Sequence, residues 1–353
     1  MLGTLLLALA AASACVALHT PLPWMIGPLL AVSLAAVAGA PTASFTPLRN
    51  AGQWTIGTAL GLYFTPQVVE LVAGLWWAIA LAIVWALAMG CGFGLCLERL
   101  QRHCMPHVAA DSMRATAYFA GAIGGASEMT LMAERAGART DLVAAAHSLR
   151  LMIVTLAIPF AMQWSGLHGL DIQPPTVRVV NLPGLALLAM ATGAGGLLMR
   201  AAGRTNSWFL GPLLVAMGFT IAGIPLSAVP TWLSNAAQLV IAVSLGVRFS
   251  REFIHTAPRW LGAVAVGTLG LIVLCGCVGW ALSWATGLHP ATMILGTSPG
   301  GIAEMSITAK VLQLGVPVVT AFQVCRLVAV LLLVGPMYGW IYGRAAPGNK
   351  KGP

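Results

Sequence analysis

Charged side chains are the scarcest class in this sequence of 353 residues. There are 9 acidic and 18 basic side chains, together 8% of the chain, whereas a typical soluble domain has about 25%. Apolar residues make up 59%, and the mean hydropathy is +0.88. A surface that faces water over this length cannot be built from so few charges. The composition therefore excludes a soluble enzyme, a soluble DNA-binding domain and a disordered regulator, and it indicates a polytopic membrane protein.

Runs of basic residues are also missing, although the net charge is +9. The longest run is Lys350-Lys351, so we expect the lipid bilayer as a partner and no direct contact with nucleic acid. In membrane proteins Lys and Arg collect in cytoplasmic loops instead. The cysteine count is odd, at seven, and most of these residues lie in apolar stretches, which favours buried thiols over disulfides.

Apolar segments fill the chain, with Pro, Gly or charge at the joins. They cover about residues 2–18, 23–40, 51–65, 68–97, 115–133 and 142–163, and then 182–200, 207–224, 232–248, 260–286, 291–309 and 316–343. A span needs about 20 residues. The first segment is short enough for a secretory signal, but no Lys or Arg precedes it, and we interpret it as the first membrane helix.

The second half of the chain repeats the first half in the same order. The four matches, 176 to 185 residues apart, are Trp24-x-x-Gly27-Pro28 with Trp208-x-x-Gly211-Pro212, Gln53 and Gly61 with Gln238 and Gly246, Gly124-Gly125-x-x-Glu128-Met129 with Gly300-Gly301-x-x-Glu304-Met305, and Arg150-Leu151 with Arg326-Leu327. Four matches in register indicate a duplication. We predict membrane repeat 1 at residues 1–165, a linker at 166–181, membrane repeat 2 at 182–343 and a cytoplasmic tail at 344–353.

The fifth segment of each repeat carries the Gly-Gly motif and is expected to be a re-entrant hairpin. Gly and Pro interrupt a helix, and the freed backbone groups must then line a cavity or be buried in protein. With these two segments re-entrant and ten spanning, one side of the membrane holds 14 basic residues, among them Arg49, Arg200 and Arg248, and the other side holds 2. If all segments span, or if the third segments are the re-entrant ones, the split is 8 to 8. The positive-inside rule favours the first arrangement, with both termini cytoplasmic.

Five spans per repeat invert the second repeat relative to the first. The predicted fold class is therefore an all-α integral membrane protein with two inverted repeats, each of five spanning helices plus one re-entrant hairpin. Inverted repeats around broken helices are typical of secondary transporters, whose sites lie near the midplane at the repeat interface. The hairpin tips, at Glu128 and Glu304, are then expected to approach one another from opposite faces of the membrane.

These two carboxylates lead the candidate binding residues. A carboxylate inside a bilayer is costly and is a functional candidate by default. As functional groups, Glu128 and Glu304 bind a coupling cation or a proton during transport. As structural groups, they are neutralised by the arginine of their own repeat, Arg150 or Arg326. The sequence leaves both interpretations open.

The other candidates surround the same tips. His147 and Gln323 precede Arg150 and Arg326 by three residues, so each pair shares one helix face. A guanidinium binds a carboxylate through two parallel hydrogen bonds, so these helix faces are candidates for binding an anionic solute. In the alternative interpretation, each arginine extends its charged group to the membrane surface. The remaining binding candidates lie where the backbone can approach a ligand closely or begin a half-helix. They are Gly124, Gly125, Ser298, Gly300 and Gly301. We expect no catalytic residue, no bound metal and no cofactor beyond a coupling ion.

The repeated motif resembles that of the AbrB family of Gram-negative inner-membrane proteins. The resemblance is carried by Gly121-Ala-Ile-Gly-Gly-Ala-Ser-Glu-Met129 and Gly296-Thr-Ser-Pro-Gly-Gly-Ile-Ala-Glu-Met305, and it extends over about residues 5–343. The two copies differ where Ser298-Pro299 replaces Ala122-Ile123, so the two hairpins are not expected to be identical. The resemblance implies a multi-pass protein of the bacterial inner membrane.

Members of this family are often named ammonia monooxygenase or AbrB family transcriptional regulator. A monooxygenase needs His or carboxylate groups that converge on a metal, but the seven His are scattered, and only His103 and His107, with Cys104 and Asp111, form a candidate group. A direct regulator needs a helix-turn-helix or a basic arm, and neither is visible. We therefore expect a secondary transporter for a small polar or anionic solute, and a homodimer. The alternatives are a membrane-bound monooxygenase and a membrane protein that affects gene expression indirectly.

Overall fold

The computed structural model describes residues 1–101, 109–167, 179–204, 206–249 and 257–343. Over these ranges the chain folds into helices, with no strand. In chain order the helices are α1 (Leu2–Ala17), α2 (Pro23–Val37), α3 (Thr46–Gly61), α4 (Pro66–Gly74), α5 (Trp76–Gln101), α6 (Ala110–Gly121), α7 (Ala126–Arg135), α8 (Thr140–Trp164), α9 (Leu182–Ala201), α10 (Ser207–Ile221), α11 (Thr231–Gly246), α12 (Pro258–Thr286), α13 (Pro290–Thr297), α14 (Ile302–Val311) and α15 (Val316–Tyr342).

Five helices of the described ranges are long and apolar enough to cross a membrane, namely α5, α8, α9, α12 and α15. The pair α3 and α4, bent by 88° at a short break, meets the same test as one broken span. Helices α1, α2 and α10 are apolar but shorter, at 16, 15 and 15 residues. An all-α membrane protein is thus confirmed, while helix length and composition alone mark five or six of the ten expected spans.

The segment with the Gly-Gly motif is broken in both repeats. Helix α6 ends at Gly121 and α7 begins at Ala126, while α13 ends at Thr297 and α14 begins at Ile302. The residues that flank each break, such as Gly125 and Ser298, have extended backbone. Pro299 lies inside the second break and has no N–H to continue a helix. The interruption predicted from the motif is therefore present in each repeat.

Each broken segment folds back on itself as a hairpin. In the first repeat, the N–H of Arg139, after α7, donates to the hydroxyl oxygen of Thr116 in α6, over 2.9 Å. In the second, the N–H of Gly315, after α14, donates to the hydroxyl oxygen of Thr292 in α13, over 3.2 Å. Thr292 follows Thr116 by 176 residues, and Gly315 follows Arg139 by the same number. Equivalent hydrogen bonds therefore close the bases of the two hairpins.

The two hairpins enter the bundle from opposite ends of α12. The indole N–H of Trp260, at the start of α12, donates to the carbonyl of Leu142, which lies just after the base of the first hairpin. The second hairpin begins at Pro290, directly after α12 ends at Thr286. With 29 residues, α12 is about 44 Å long. The hairpin bases are therefore separated by the length of a membrane span.

All of the described helices except α4 form two groups that draw on both repeats. The first group, here called the panel bundle, consists of α1–α3 and α9–α11, in which α2 packs on α11 and α10 packs on α3. The second, here called the hairpin bundle, consists of α5–α8 and α12–α15, in which α5 packs on α15 and α8 packs on α12. Each repeat thus contributes half of each bundle, and equivalent helices make equivalent contacts with the other repeat.

The duplicated glycines lie at these helix contacts. A Cβ on Gly61 would fall 2.6 Å from the carbonyl oxygen of Leu213, and one on Gly246 would fall 3.1 Å from that of Leu29. These are the α3–α10 and α11–α2 contacts of the panel bundle. Close backbone packing through glycine is common between membrane helices, so the repeated glycines of the sequence mark where the two repeats pack together.

Candidate functional site

A cavity of about 670 Å³ lies between the two bundles, within the range of small-molecule sites. The panel bundle lines it with the starts of α3 and α10 and the ends of α9 and α11, and the hairpin bundle lines it with both hairpin tips. Eight of the eleven candidate residues line this cavity, namely Gly124, Gly125, Glu128, Arg150, Gly300, Gly301, Glu304 and Arg326. The structure thus brings together two motifs that are 176 residues apart in the chain.

The other three candidates lie behind the cavity wall rather than in it. His147, Gln323 and Ser298 are at most 5% exposed, and none of them lines the cavity. They contact the backbone of the hairpins and the two arginines. Their arrangement supports the tips rather than meeting a solute.

Arg326 holds the tip of the second hairpin through its carbonyl groups. Its Nη1 donates to the carbonyl of Ser298, and its Nη2 donates to that of Gly300 over 2.7 Å. Nη2 also donates to Oε1 of Gln323 over 2.6 Å. The amide of Gln323 in turn donates to the carbonyl of Leu295 over 2.7 Å. These bonds satisfy carbonyls that the break in the helix leaves without partners.

Arg150 has the same role in the first hairpin, with His147 in place of Gln323. Its Nη2 donates to the carbonyl of Ala122 over 2.8 Å and to Nδ1 of His147 over 2.6 Å. The other ring nitrogen, Nε2, lies 2.9 Å from the carbonyl oxygen of Phe119. A neutral His147 with its proton on Nε2 accounts for both contacts, since Nδ1 then accepts and Nε2 donates.

The arginines pair with helix carbonyls and not with the motif carboxylates. Arg150 and Arg326 are 2% and 6% exposed, so neither snorkels to the surface. No ion pair joins Glu128 to Arg150, or Glu304 to Arg326, among the described residues. The C-terminal end of a helix carries partial negative charge, and the ends of α6 and α13 supply it here. The guanidinium groups therefore stabilise the broken backbone at the tips.

The motif carboxylates fold back over the starts of their own helices. Gly125 is the N-cap of α7 and Glu128 is its third residue, and Gly301 and Glu304 occupy the same positions in α14. A Cβ on Gly125 or Gly301 would collide with Oε2 of that glutamate. A carboxylate in the first turn of a helix is favoured by the partial positive charge of the helix N-terminus. A side chain at the second glycine of the motif would therefore displace the carboxylate from this position.

The first glycine of the motif makes room for its methionine. A Cβ on Gly300 would lie 2.8 Å from Cγ of Met305, and one on Gly124 would lie 3.0 Å from Cε of Met129. Both methionines are fully buried. In the first hairpin the added Cβ would also lie 2.9 Å from Cγ1 of Val330. In both repeats each motif glycine thus lies beside the side chain of a later motif residue.

The cavity carries more positive than negative charge. Five arginines line it against two glutamates, the arginines being Arg49, Arg150, Arg200, Arg248 and Arg326. The Nε atoms of Arg49 and Arg326 are buried with no hydrogen-bond partner. Loss of hydration and the nearby Arg49 lower the pKa of Arg248, which lies beyond the end of α11, while Glu304 raises it. The geometry suits an anion better than a cation.

Comparison with known proteins agrees with the motif. A family model described as "Transition state regulatory protein AbrB" matches residues 24–342. The chain belongs to the AbrB family. "Uncharacterized protein YhjN" of Bacillus subtilis (strain 168) is 25% identical over 341 residues, which cover 89% of this chain and 86% of the relative. "Putative regulator AbrB" of Escherichia coli (strain K12) is 25% identical over 339 residues, which cover 94% and 93%.

Three arginines at the mouth of the cavity in this AbrB-family protein were not among the sequence candidates. In the sequence, these three residues are ordinary basic residues near membrane boundaries, where Lys and Arg are common. They are Arg49, Arg200 and Arg248. Helix α3 begins and α11 ends at the same mouth, and this brings Arg49 and Arg248 together. The sequence does contain one indication, because Arg49 and Arg248 each lie at an end of the third segment of their repeat. Only the fold shows that the two arginines share one cavity.

The described part of the chain contains no group of three or more His, Cys, Asp or Glu side chains placed to hold a metal ion. The loop residues His103, Cys104 and His107, considered as metal ligands, lie outside the described residues. Their neighbour Asp111 accepts a hydrogen bond from Arg114 over 3.2 Å.

Proposed function

We propose that this AbrB-family protein is a secondary transporter for a small polar or anionic solute, with its site in the cavity between the two bundles. The observation that carries the proposal is the meeting of two hairpin tips, from opposite ends of α12, at one cavity. Broken helices that meet at a repeat interface are the usual binding architecture of secondary transporters. The two alternatives from the family names, an oxygenase and a regulator, do not account for this duplicated arrangement.

The inverted topology belongs to this proposal and has structural support. Helices α3 and α11 are equivalent in the two repeats, yet α3 begins at the cavity mouth and α11 ends there. Equivalent helices that run in opposite directions are expected for inverted repeats and not for parallel ones. We therefore propose ten spans and two re-entrant hairpins.

The charge distribution favours the same topology. Ten spans with the fifth segments re-entrant place Arg49, Arg200 and Arg248 on one side of the membrane. If all segments spanned, Arg49 would lie on the side opposite Arg200 and Arg248. The three side chains line one cavity mouth, which agrees with the first arrangement. By the positive-inside rule this mouth faces the cytoplasm.

Transport then requires the cavity to open on the other side. The cavity lies where the panel bundle meets the hairpin bundle, so a movement of one bundle against the other would expose the tips to the opposite face. Rigid-body rocking of one bundle about a fixed site is the common form of alternating access. Glu128 and Glu304 lie in this cavity and are the groups we propose to carry a coupling proton or cation.

A regulatory label is compatible with a transporter. The family description and the name of the Escherichia coli relative refer to regulation. A membrane protein that alters the level of a solute affects gene expression indirectly, without contact with a promoter.

The test begins with thermal stability of the detergent-purified protein against carboxylates, sulfonates, amines and Na⁺, because a ligand of the folded state raises the melting temperature by mass action. Each solute that raises it is then offered to proteoliposomes. We expect saturable uptake that is lost in Glu304→Gln with folding retained, and retained in the control Glu134→Gln, whose side chain is exposed at the hairpin base. A solute that binds but never enters the vesicles would contradict the proposal.

A further inference from the structure

The mouth of the cavity holds two guanidinium groups that form no ion pair with a carboxylate in the described part of the chain. Arg49 lies in the first turn of α3, and Arg248 follows the end of α11. Among the described residues, no acidic side chain lies within ion-pair distance of either group. Burial and, to a smaller extent, the nearby Arg49 lower the pKa of Arg248, while Glu304 raises it. Both arginines line the same cavity, so their positive charges are close enough to repel, and Glu304 offsets this repulsion only in part.

An unpaired arrangement of this kind is unfavourable unless something compensates for it. Two like charges near each other disfavour their own charged forms, and an anion between them reverses the effect. The Nε atoms of Arg49 and Arg326 are both buried without a hydrogen-bond partner, so neither is reached from the cavity. An anion between Arg49 and Arg248 would therefore be held by their Nη groups, and it would offset the repulsion between the two charges.

The other three arginines of the cavity either bind the hairpins or are exposed at the mouth. Arg150 and Arg326 use both of their Nη groups on hairpin carbonyls and on a neighbouring side chain. Arg200 lines the same mouth with an exposed side chain. Free guanidinium donors are thus concentrated at Arg49 and Arg248, with Arg200 beside them.

The charge balance sets the class of ligand. The lining has five arginines and two glutamates, an excess of three positive charges (5 − 2). A monoanion leaves two of the three positive charges of this excess uncompensated. A dianion compensates most of it, and each of its acidic groups matches the planar fork of one guanidinium.

We propose that Arg49 and Arg248 form the binding pair for a small dianion, which is the solute of this cavity. The proposal rests on the transporter function above, since it names the class of the transported solute. A dicarboxylate and an inorganic dianion such as phosphate share the required charge. A cavity of about 670 Å³ admits the dicarboxylate with room for its carbon chain, and the test separates the two sources.

The test measures binding by isothermal titration calorimetry on the full-length protein in detergent. The probes are succinate, inorganic phosphate, acetate and choline, each titrated at two salt concentrations. We expect succinate or phosphate to bind saturably, and acetate to bind about tenfold more weakly or not at all. We expect the Kd of the dianion to rise by at least about tenfold in Arg49→Gln and in Arg248→Gln. The control Arg99→Gln, at an exposed position outside the cavity, should leave the Kd unchanged.

Folding of each variant is checked by gel filtration and thermal melting. If a glutamine variant does not fold, Arg49→Lys and Arg248→Lys replace it, because lysine keeps the charge but loses the fork and should still raise the Kd. Absence of dianion binding to the wild type, or a Kd that none of these variants changes, would overturn the inference. Uptake of choline or of a neutral solute without dianion binding would overturn the inference and leave the transporter function intact. Dianion binding that depends on both arginines, without transport into vesicles, would support the inference about the binding pair and contradict the transporter function.

Discussion

The carboxylate of Glu304 lies against Gly301, three residues earlier in the chain, in the space that a Cβ atom would occupy. The same relationship recurs in the first hairpin. A glycine beside a cavity is usually explained by close approach of a ligand, but here an acidic side chain of the same helix fills the space. The motif is therefore a local packing unit that places a carboxylate at the start of a half-helix and at the edge of the cavity.

Replacing Gly301 with alanine is expected to destabilise the protein. The added Cβ collides with the flexible end of Glu304 and forces its carboxylate away from the start of α14, at a cost of about 1 kcal/mol, the lower end for overpacking. The measurement is the free energy of unfolding from denaturant titration in detergent. The control Gly276→Ala, where a Cβ meets nothing within 4 Å, should not lower it, because Ala is favoured over Gly in a helix interior. The double variant Gly301→Ala with Glu304→Ala should recover part of the loss, because the collision is removed, and an additive double variant would refute the packing explanation.

Arg326 and Glu304 are expected to contribute independently to stability. Arg326→Ala leaves the carbonyls of Ser298 and Gly300 unpaired and should cost about 3 kcal/mol. Glu304→Gln keeps a side chain that can reach the N-cap and should cost less than about 1 kcal/mol. Because no ion pair joins the two residues, their effects should add within about 0.5 kcal/mol in a double-mutant cycle. A coupling energy well above 1 kcal/mol would show that the carboxylate and the guanidinium interact directly.

The hydrogen bonds at the hairpin bases predict equal effects in the two repeats. Thr116→Val and Thr292→Val each remove the acceptor for one backbone N–H, and each should lower the free energy of unfolding by about 1–2 kcal/mol. The control Thr220→Val removes a hydroxyl that bonds only to a carbonyl of its own helix, that of Ala216, and should have a smaller effect. A loss confined to one repeat would mean that the hairpins are anchored differently.

The topology predicts that the hairpin bases face opposite compartments. Glu134 and Gln313 are exposed at the ends of α7 and α14. In a cysteine-free background, Glu134→Cys should react with an impermeant maleimide only from the cytoplasmic side, and Gln313→Cys only from the other side. Labelling of both positions from the same side would rule out inverted repeats. Arg99→Cys serves as the cytoplasmic reference.

The sequence predicted the features that depend on a repeated motif or on a single charged side chain. The broken segments, the glycine contacts and the eight cavity-lining candidates follow from repetition of Gly-Gly-x-x-Glu-Met and from the cost of charge in a bilayer. Helix starts were less predictable. Helix α3 begins at Thr46 rather than near residue 51, because Thr46-Pro47 supplies a favourable first turn that an apolar window overlooks.

The partners of the buried groups could not be read from the sequence. The arginines were expected to meet either a solute or the glutamate of their repeat. They bind helix carbonyls because the broken backbone at the tips offers acceptors that only the three-dimensional path of the chain reveals. The pairing of Arg49 with Arg248 has the same origin, since it depends on α3 and α11 running in opposite directions. The count of basic residues predicts that both arginines lie on one side of the membrane, but it does not predict that their side chains share one cavity.

The most direct test of the account is the accessibility of the hairpin tips from the two sides of the membrane. Ser127 and Ala303 are equivalent positions, and both line the cavity. In a cysteine-free background and in oriented vesicles, an impermeant thiol reagent should reach Ser127→Cys and Ala303→Cys from the cytoplasmic side and, more slowly, from the opposite side. A ligand that stabilises the protein should shift the ratio of the two rates. Reaction from one side alone, whatever ligand is present, would contradict alternating access and with it the transporter function.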